Sequence, residues 1–192
     1  MVENLFGQLE KENAQFQKAS GLGCVSGCGK CCNYPHIEAS PLEFLPWAFH
    51  LFLAGEAETT LDTLNGNPNP NCFLFKPLSA LDQGHCGSYV YRGLICRLFG
   101  FGATRDKYGS LRLATCKIIR EGQAEQYKTV SEAITKGLYV PVFTEYYMQL
   151  NQIDYALGTK MVPVNKALKM ALEEVLQYYT YRPAPDAGKW CV

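Results

Sequence analysis

Leu5, Phe6, Leu9 and Phe16 recur among Glu, Gln, Lys and Asn at spacings that place them on one face of a helix over residues 3–19. After a glycine-rich stretch at 21–36, closed by Asn33-Tyr34-Pro35, Ser40-Pro41-Leu42-Glu43 carries a helix start. Ser40 is the cap, Pro41 takes the first helical position and Glu43 can complete a capping box. The apolar run that follows predicts a helix toward Ala54, stopped at Gly55, with Pro46 able to kink or split it. Residues 56–64 add a helical turn or two. Asn65-Gly-Asn-Pro-Asn-Pro-Asn71 is a turn-forming loop and not a strand.

The pattern then shortens to hairpins. Cys72-Phe-Leu-Phe75 and His85-Cys-Gly-Ser-Tyr-Val90 flank a loop around Asp82-Gln83-Gly84, which predicts a fold-back near residue 80. Leu98 to Thr104 and Ser110 to Thr115 flank Arg105-Asp-Lys-Tyr-Gly109, with a turn near residue 107. The period lengthens again in the last third. Residues 122–138 predict a helix. Pro141 opens another that includes Phe143, Tyr146, Tyr147, Leu150, Ile153, Asp154 and Leu157 and ends at Gly158. Residues 163–179 form a third, with Ala167, Leu168, Ala171, Leu172, Val175 and Leu176 along one side. The tail from Pro183 is loose, and no repeats are present.

These elements predict an α+β fold: a small cysteine-rich metal-binding core with short β-hairpins, surrounded by helices and followed by a helical C-terminal part. The 192 residues are read as a single domain, 1–192, with the core at about 20–120 and the helical extension at about 121–182. With 47% apolar residues, the chain can bury a core without disulfide staples. Eighteen basic residues balance eighteen acidic ones, so no charge excess points to nucleic acid or an anionic membrane. The polar start, Met1 to Ser20, has neither a signal-peptide pattern nor a membrane span, and the expected location is the cytoplasm.

A reducing compartment changes the meaning of nine cysteines, an odd number that cannot fully pair within one chain. Cys24-Val-Ser-Gly-Cys28-Gly-Lys-Cys31-Cys32 sets four thiols in nine residues, with Gly23, Gly27 and Gly29 among them. Thiolates converging from one loop, with backbone N–H groups to spread their charge, are what a metal or an iron–sulfur cluster needs. The alternative, buried cysteines acting as small hydrophobes, does not suit a Gly/Ser/Lys loop. The two hairpins, folded as predicted, bring Cys72 to Cys86 and Cys96 to Cys116 at their open ends. The metal ligands expected are therefore Cys24, Cys28, Cys31, Cys32, Cys72, Cys86, Cys96 and Cys116.

Eight thiols exceed one tetrahedral zinc. They suit a 4Fe–4S cluster with four cysteines to spare, or two metal sites. In a narrower reading only Cys24, Cys28, Cys31 and one later cysteine ligate. Cys191 is expected to be no ligand, because it ends a Pro/Gly-rich tail whose ordering is unfavourable. Arg92 and Arg97 flank Cys96 and can neutralise thiolate charge, or serve as ordinary carboxylate-paired arginines. Tyr89 can pack over the site or fill the core, and the core is the favoured place. His36, His50 and His85 are left out of the ligand set. The spacing Cys24-x3-Cys28-x2-Cys31 is also that of radical-SAM clusters, but the strand–helix repeat of a barrel is missing. No P-loop, dinucleotide loop or nucleophile elbow is present.

Taken in order, these motifs resemble the YkgJ-type cysteine-cluster proteins, the zinc- or iron-chelating CxxCxxCC family. That family's pattern continues with Cys-x-Phe-Leu, then Cys-x-Ile-Tyr-x-x-Arg-Pro-x-x-Cys-Arg-x-Phe-Pro, then a final Cys. Here Cys72-Phe73-Leu74 lacks only the spacer of the first piece. Cys86, Tyr89, Arg92, Cys96, Arg97 and Phe99 match the second, and Cys116 stands for the last. Ser88, Gly93 and Gly100 depart from Ile, Pro and Pro; they loosen the turn and touch no thiol. The match covers about residues 20–120 and leaves the helical remainder outside.

The resemblance implies a metal-binding domain. Among similar proteins, flagellin lysine-N-methylases are associated with an iron–sulfur cluster. The expected function is thus a cytoplasmic protein holding an iron–sulfur cluster or Zn2+, in electron transfer, metal handling or redox sensing. Two alternatives stand beside it: a cluster-dependent enzyme of the methylase kind, and a zinc-stabilised module whose aromatic C-terminal helices bind a protein partner.

Overall fold

The structure is a computed structural model that describes residues 1–24, 28–78 and 84–185. Helix α1 (Val2–Ser20) buries Val2, Leu5, Phe6, Leu9 and Phe16, the face its spacing predicts. Gly21 ends it at φ 67°, with its N–H on the Gln17 carbonyl. Beyond the cysteine loop, the short strand β1 (Glu38–Ala39) leads into a 3₁₀ turn at Pro41–Phe44. The Ser40 N–H donates to Glu43 Oε1 at 2.8 Å and the Ser40 hydroxyl donates to the same oxygen at 3.2 Å, so the start signal forms as read. The helix after it splits: α2 (Leu45–Leu53) begins anew, with Pro46 in its first turn, where no N–H is required. Helix α3 (Ala57–Asn65) follows.

The first hairpin pairs β2 (Phe75–Pro77) with β3 (Gly84–Cys86) in the register Phe75 to Cys86 and Pro77 to Gly84, a centre near residue 80. Its turn, 79–83, lies outside the described residues. The second hairpin is shorter than expected. Leu94–Leu98 is a helix, α4, and only β4 (Ala103–Arg105) and β5 (Leu111–Leu113) pair, about a centre at residue 108. The helix forms because Glu43 Oε2 accepts the Ile95 N–H at 3.0 Å, a cap supplied from 52 residues away.

The Cys116 Sγ accepts the Ile119 N–H at 3.4 Å and starts a further helix not read from the pattern, α5 (Lys117–Gly122). Helix α6 (Ala124–Thr135) comes next. The helix predicted from Pro141 breaks at Asp154, which leaves α7 (Phe143–Ile153) and α8 (Tyr155–Gly158). Asp154 is extended, φ −152° and ψ 109°, and its carboxylate accepts the Leu157 N–H at 2.9 Å, so it caps the second piece instead of continuing the first. Strand β6 (Val162–Pro163) pairs antiparallel with β1, directly before α9 (Val164–Tyr179).

Helices and short antiparallel pairs therefore mix in one chain, as an α+β fold requires. Burial divides among three cores. The first unites Phe44 and Trp47 with the Ala167, Leu168, Ala171, Leu172 and Val175 face of α9. The second joins α1 to Leu42, to Leu94 and Leu98 of α4, and to Tyr146 and Leu150 of α7. The third gathers Phe16, Leu22, Ala103, Leu113, Ile119, Val130 and Ile134. Each fully buried leucine in these sets contributes about 1.5–3 kcal/mol. No described helix is long and apolar enough to cross a membrane.

Candidate metal centre

The cysteines stand where the three cores meet. Cys72 and Cys86 pack against the first, Cys116 against the third, and Cys96 rides on α4 between Leu94 and Leu98 of the second. The loop carrying the early thiols is clamped at both ends. At its start, the Gly23 N–H donates to Gln123 Oε1 at 3.2 Å and Gln123 Nε2 donates to the Gly23 carbonyl at 2.6 Å, which sets Cys24 beside the α5–α6 junction. At its end, the Gly29 carbonyl accepts the N–H groups of Cys32 and Asn33 at 2.9 and 3.0 Å, closing a turn around Cys31 and Cys32.

Gly29 adopts φ 58° and lies so close to the first hairpin that a Cβ would stand 2.7 Å from the Gly84 carbonyl oxygen and 2.8 Å from the Phe75 ring. The turn is thereby pressed against the strand pair that carries Cys86. Behind Cys96, Gly93 leaves room for Glu43, since a Cβ there would fall 2.9 Å from Glu43 Oε2.

The result is one cavity of about 430 Å3 whose wall includes Cys24, Cys28, Cys31, Cys32, Cys72, Cys86, Cys96 and Cys116. Every candidate ligand is on it. Among the described residues, no three His, Cys, Asp or Glu side chains converge closely enough to hold a metal ion as they stand. Cys191 and the loop residues 25–27 lie outside the described residues.

The thiols influence one another. The Cys32 thiol donates to Cys31, which holds Cys31 well below the ordinary thiol range, at about 6, and pushes Cys32 up. Burial raises Cys72 to about 11. It also raises Cys24, with Cys28, Cys31 and Cys116 adding like charge, and Cys96, with Cys72, Glu43 and Cys86 adding theirs. Crowded sulfurs that resist ionising together are a set that a cation relieves.

Two residues, Tyr89 and Cys96, differ from their reading in the sequence. Tyr89 is 60% exposed and lines the thiol cavity, so it is not core. His85 also lines the cavity, next to Cys86. Cys96 sits on a helix and not at a hairpin base, because the Glu43 cap turns that segment helical before the strand begins. The other histidines serve elsewhere: His50 stacks on Tyr91 at 4.8 Å and His36 meets Tyr34 edge-on at 5.5 Å. A second opening, about 730 Å3, lies between Leu45, Leu157, Tyr178 and Arg182, and none of the described cysteines lines it. No family model, no curated protein and no solved structure matches this chain.

Proposed function

We propose that the chain is a cytoplasmic metal-binding protein whose cysteines hold a 4Fe–4S cluster or Zn2+, as its likeness to the YkgJ-type proteins implies. One observation carries the reading: eight cysteines drawn from five separate segments all line the same cavity. The donor set fits the group. It is soft sulfur, which selects zinc and iron–sulfur clusters over hard cations. A cysteine side chain has three staggered positions about its Cα–Cβ bond, so rotation re-aims each sulfur on the wall.

Cys24, Cys28, Cys31 and Cys32 would bind from the loop, and Cys72, Cys86, Cys96 and Cys116 from the opposite walls. A bound cluster would supply one-electron chemistry, and a bound zinc would supply structural cross-linking. The chain's own part is to release thiol protons as the metal enters and to keep the sulfurs on one wall. Cys31, held at about 6 by the neighbouring Cys32 thiol, ionises before Cys72.

Anaerobic purification followed by iron, sulfide and zinc analysis with visible absorption tests the reading. Iron with sulfide and a broad visible charge-transfer band identifies a cluster. Stoichiometric zinc without colour identifies zinc. A protein that holds neither, even after anaerobic reconstitution with all thiols reduced, overturns the proposal.

A further inference from the structure

Arg92 and Arg97 share one carboxylate, Glu10 of α1, yet they are built into the protein differently. Arg97 is committed to the scaffold. Its side chain is 6% exposed. Its Nε donates to the Arg92 carbonyl at 2.9 Å, Nη1 donates to Glu10 and Nη2 to the Val90 carbonyl. Its guanidinium lies 4.5 Å over the Phe6 ring, and it stands outside the lining of the thiol cavity.

Arg92 lines that cavity. Its Nη2 donates to Glu10 Oε1 at 3.0 Å and its guanidinium lies 4.1 Å over the Tyr89 ring, another residue of the wall. Its Nε–H is buried and has no acceptor among the described residues. A buried donor left without a partner is unfavourable by the full desolvation of that group. Four thiolates around one Zn2+ leave a net charge of about −2, which a guanidinium in the wall offsets.

We infer that Arg92 is a positioning residue of the thiol cavity: its free N–H donates to a sulfur of the metal–thiolate group, while Glu10 and Tyr89 hold the guanidinium in place. This inference rests on the metal-binding reading above. It separates the two arginines, giving Arg92 to the metal group and Arg97 to the fold.

The test is an anaerobic zinc titration of the reduced, metal-free protein against a chromophoric chelator, with thermal melts of the same samples. Arg92→Gln is expected to melt near the wild type and to bind zinc about ten- to a hundredfold more weakly, the range usual for groups that support metal ligands. Arg92→Lys keeps the charge without the fork and should recover only part of the loss. Arg97→Lys should lower the melting temperature and weaken zinc less than Arg92→Gln does. Wild-type affinity in Arg92→Gln overturns the assignment, as does a larger loss in Arg97→Lys. If Arg92→Gln does not fold, Arg92→Lys decides: wild-type affinity there overturns the role of the free N–H. A wild-type protein that takes up no zinc overturns the parent reading and this inference with it. Loading that is indifferent to Arg92 overturns this inference alone.

Discussion

The side-chain amide of Asn71 donates to Asn33 Oδ1 at 2.5 Å, tying the residue after Cys32 to the residue before Cys72. The tie continues into α9. Asn165 Oδ1 accepts the Phe73 N–H at 2.8 Å, and its Nδ2 donates to the carbonyls of Asn69 and Asn71 at 3.1 and 2.8 Å. One asparagine thus holds the backbone on either side of Cys72, and a second joins that strip to the cysteine loop.

Replacing Asn165 with alanine removes three hydrogen bonds and leaves a partly buried N–H unpaired. The expected loss is about 1–3 kcal/mol in a urea melt. Alkylation of Cys72 should accelerate more than alkylation of Cys116, which this asparagine does not touch. Equal acceleration at both thiols would mean that the clip acts on the whole fold and not on the strip around Cys72.

Gly29→Ala adds a methyl group where backbone and ring atoms already stand within 2.8 Å, at φ 58°. The strain and the displaced contact should destabilise the protein by about 1–3 kcal/mol. Metal content should fall along with stability, because the displaced turn carries Cys31 and Cys32. Gly7→Ala is the control, since nothing lies within 4 Å of a Cβ there. A Gly29→Ala protein with wild-type melting and metal content would contradict the packing described.

Glu43 is fully buried and accepts from the Ser40 N–H and hydroxyl, the Ile95 N–H and the Tyr147 hydroxyl. Glu43→Ala strands those donors and opens a cavity under α4. The expected destabilisation is about 2–5 kcal/mol, the range for a large buried side chain cut to alanine. Hydrogen exchange should show lost protection at Ile95 and Cys96 before any loss in α6. Intact protection at Ile95 would remove Glu43 as the cap of α4.

The metal-free protein should have a distinctive response to pH. Cys72 is raised from the ordinary thiol range near 9 to about 11, so the folded state favours its protonated form. That contribution is complete below pH 9 and is lost as pH rises through 11. Cys31 has the opposite sign. Held at about 6, it contributes stability above pH 9 that is lost as pH falls through 6. Denaturant melts from pH 5 to 10.5 should therefore show Cys72→Ser flattening the alkaline fall and Cys31→Ser flattening the acid one. Alkylation at pH 7, mapped by mass spectrometry, should mark Cys31 before Cys72. Slower labelling of Cys31 than of Cys72 would reverse this ordering.

What could be read from the residues alone depended on how far each cause lay along the chain. The α1 face and the Ser40–Glu43 start have causes within four residues and were legible. So was the centre of the first hairpin. Helix α4 was not, because its cap comes from Glu43, and the β1–β6 pair is only two residues long, with partners more than 120 residues apart. Asp154 favoured capping over helix continuation, a competition that an apolar periodicity does not display. The eight cysteines that line one cavity stood out by residue type and spacing. The different partners of Arg92 and Arg97 were not legible, since Glu10 and Phe6 lie on a helix more than 80 residues away.

Because Cys72 and Cys86 pack on the first core, Cys116 on the third, and Cys96 is carried by α4, whose Leu94 and Leu98 belong to the second, whatever occupies the cavity bears on elements of all three. Ligation and the mutual docking of the cores become a single linked equilibrium. A ligand present at a hundred times its dissociation constant then adds about 2.7 kcal/mol to the stability of the folded protein as a whole. Strain introduced at a remote core, such as Leu172→Ala on α9, should be felt as weaker ligand binding, with no cysteine altered. The cavity then acts as the keystone of the fold, and its occupancy reports whether the surrounding arch has closed.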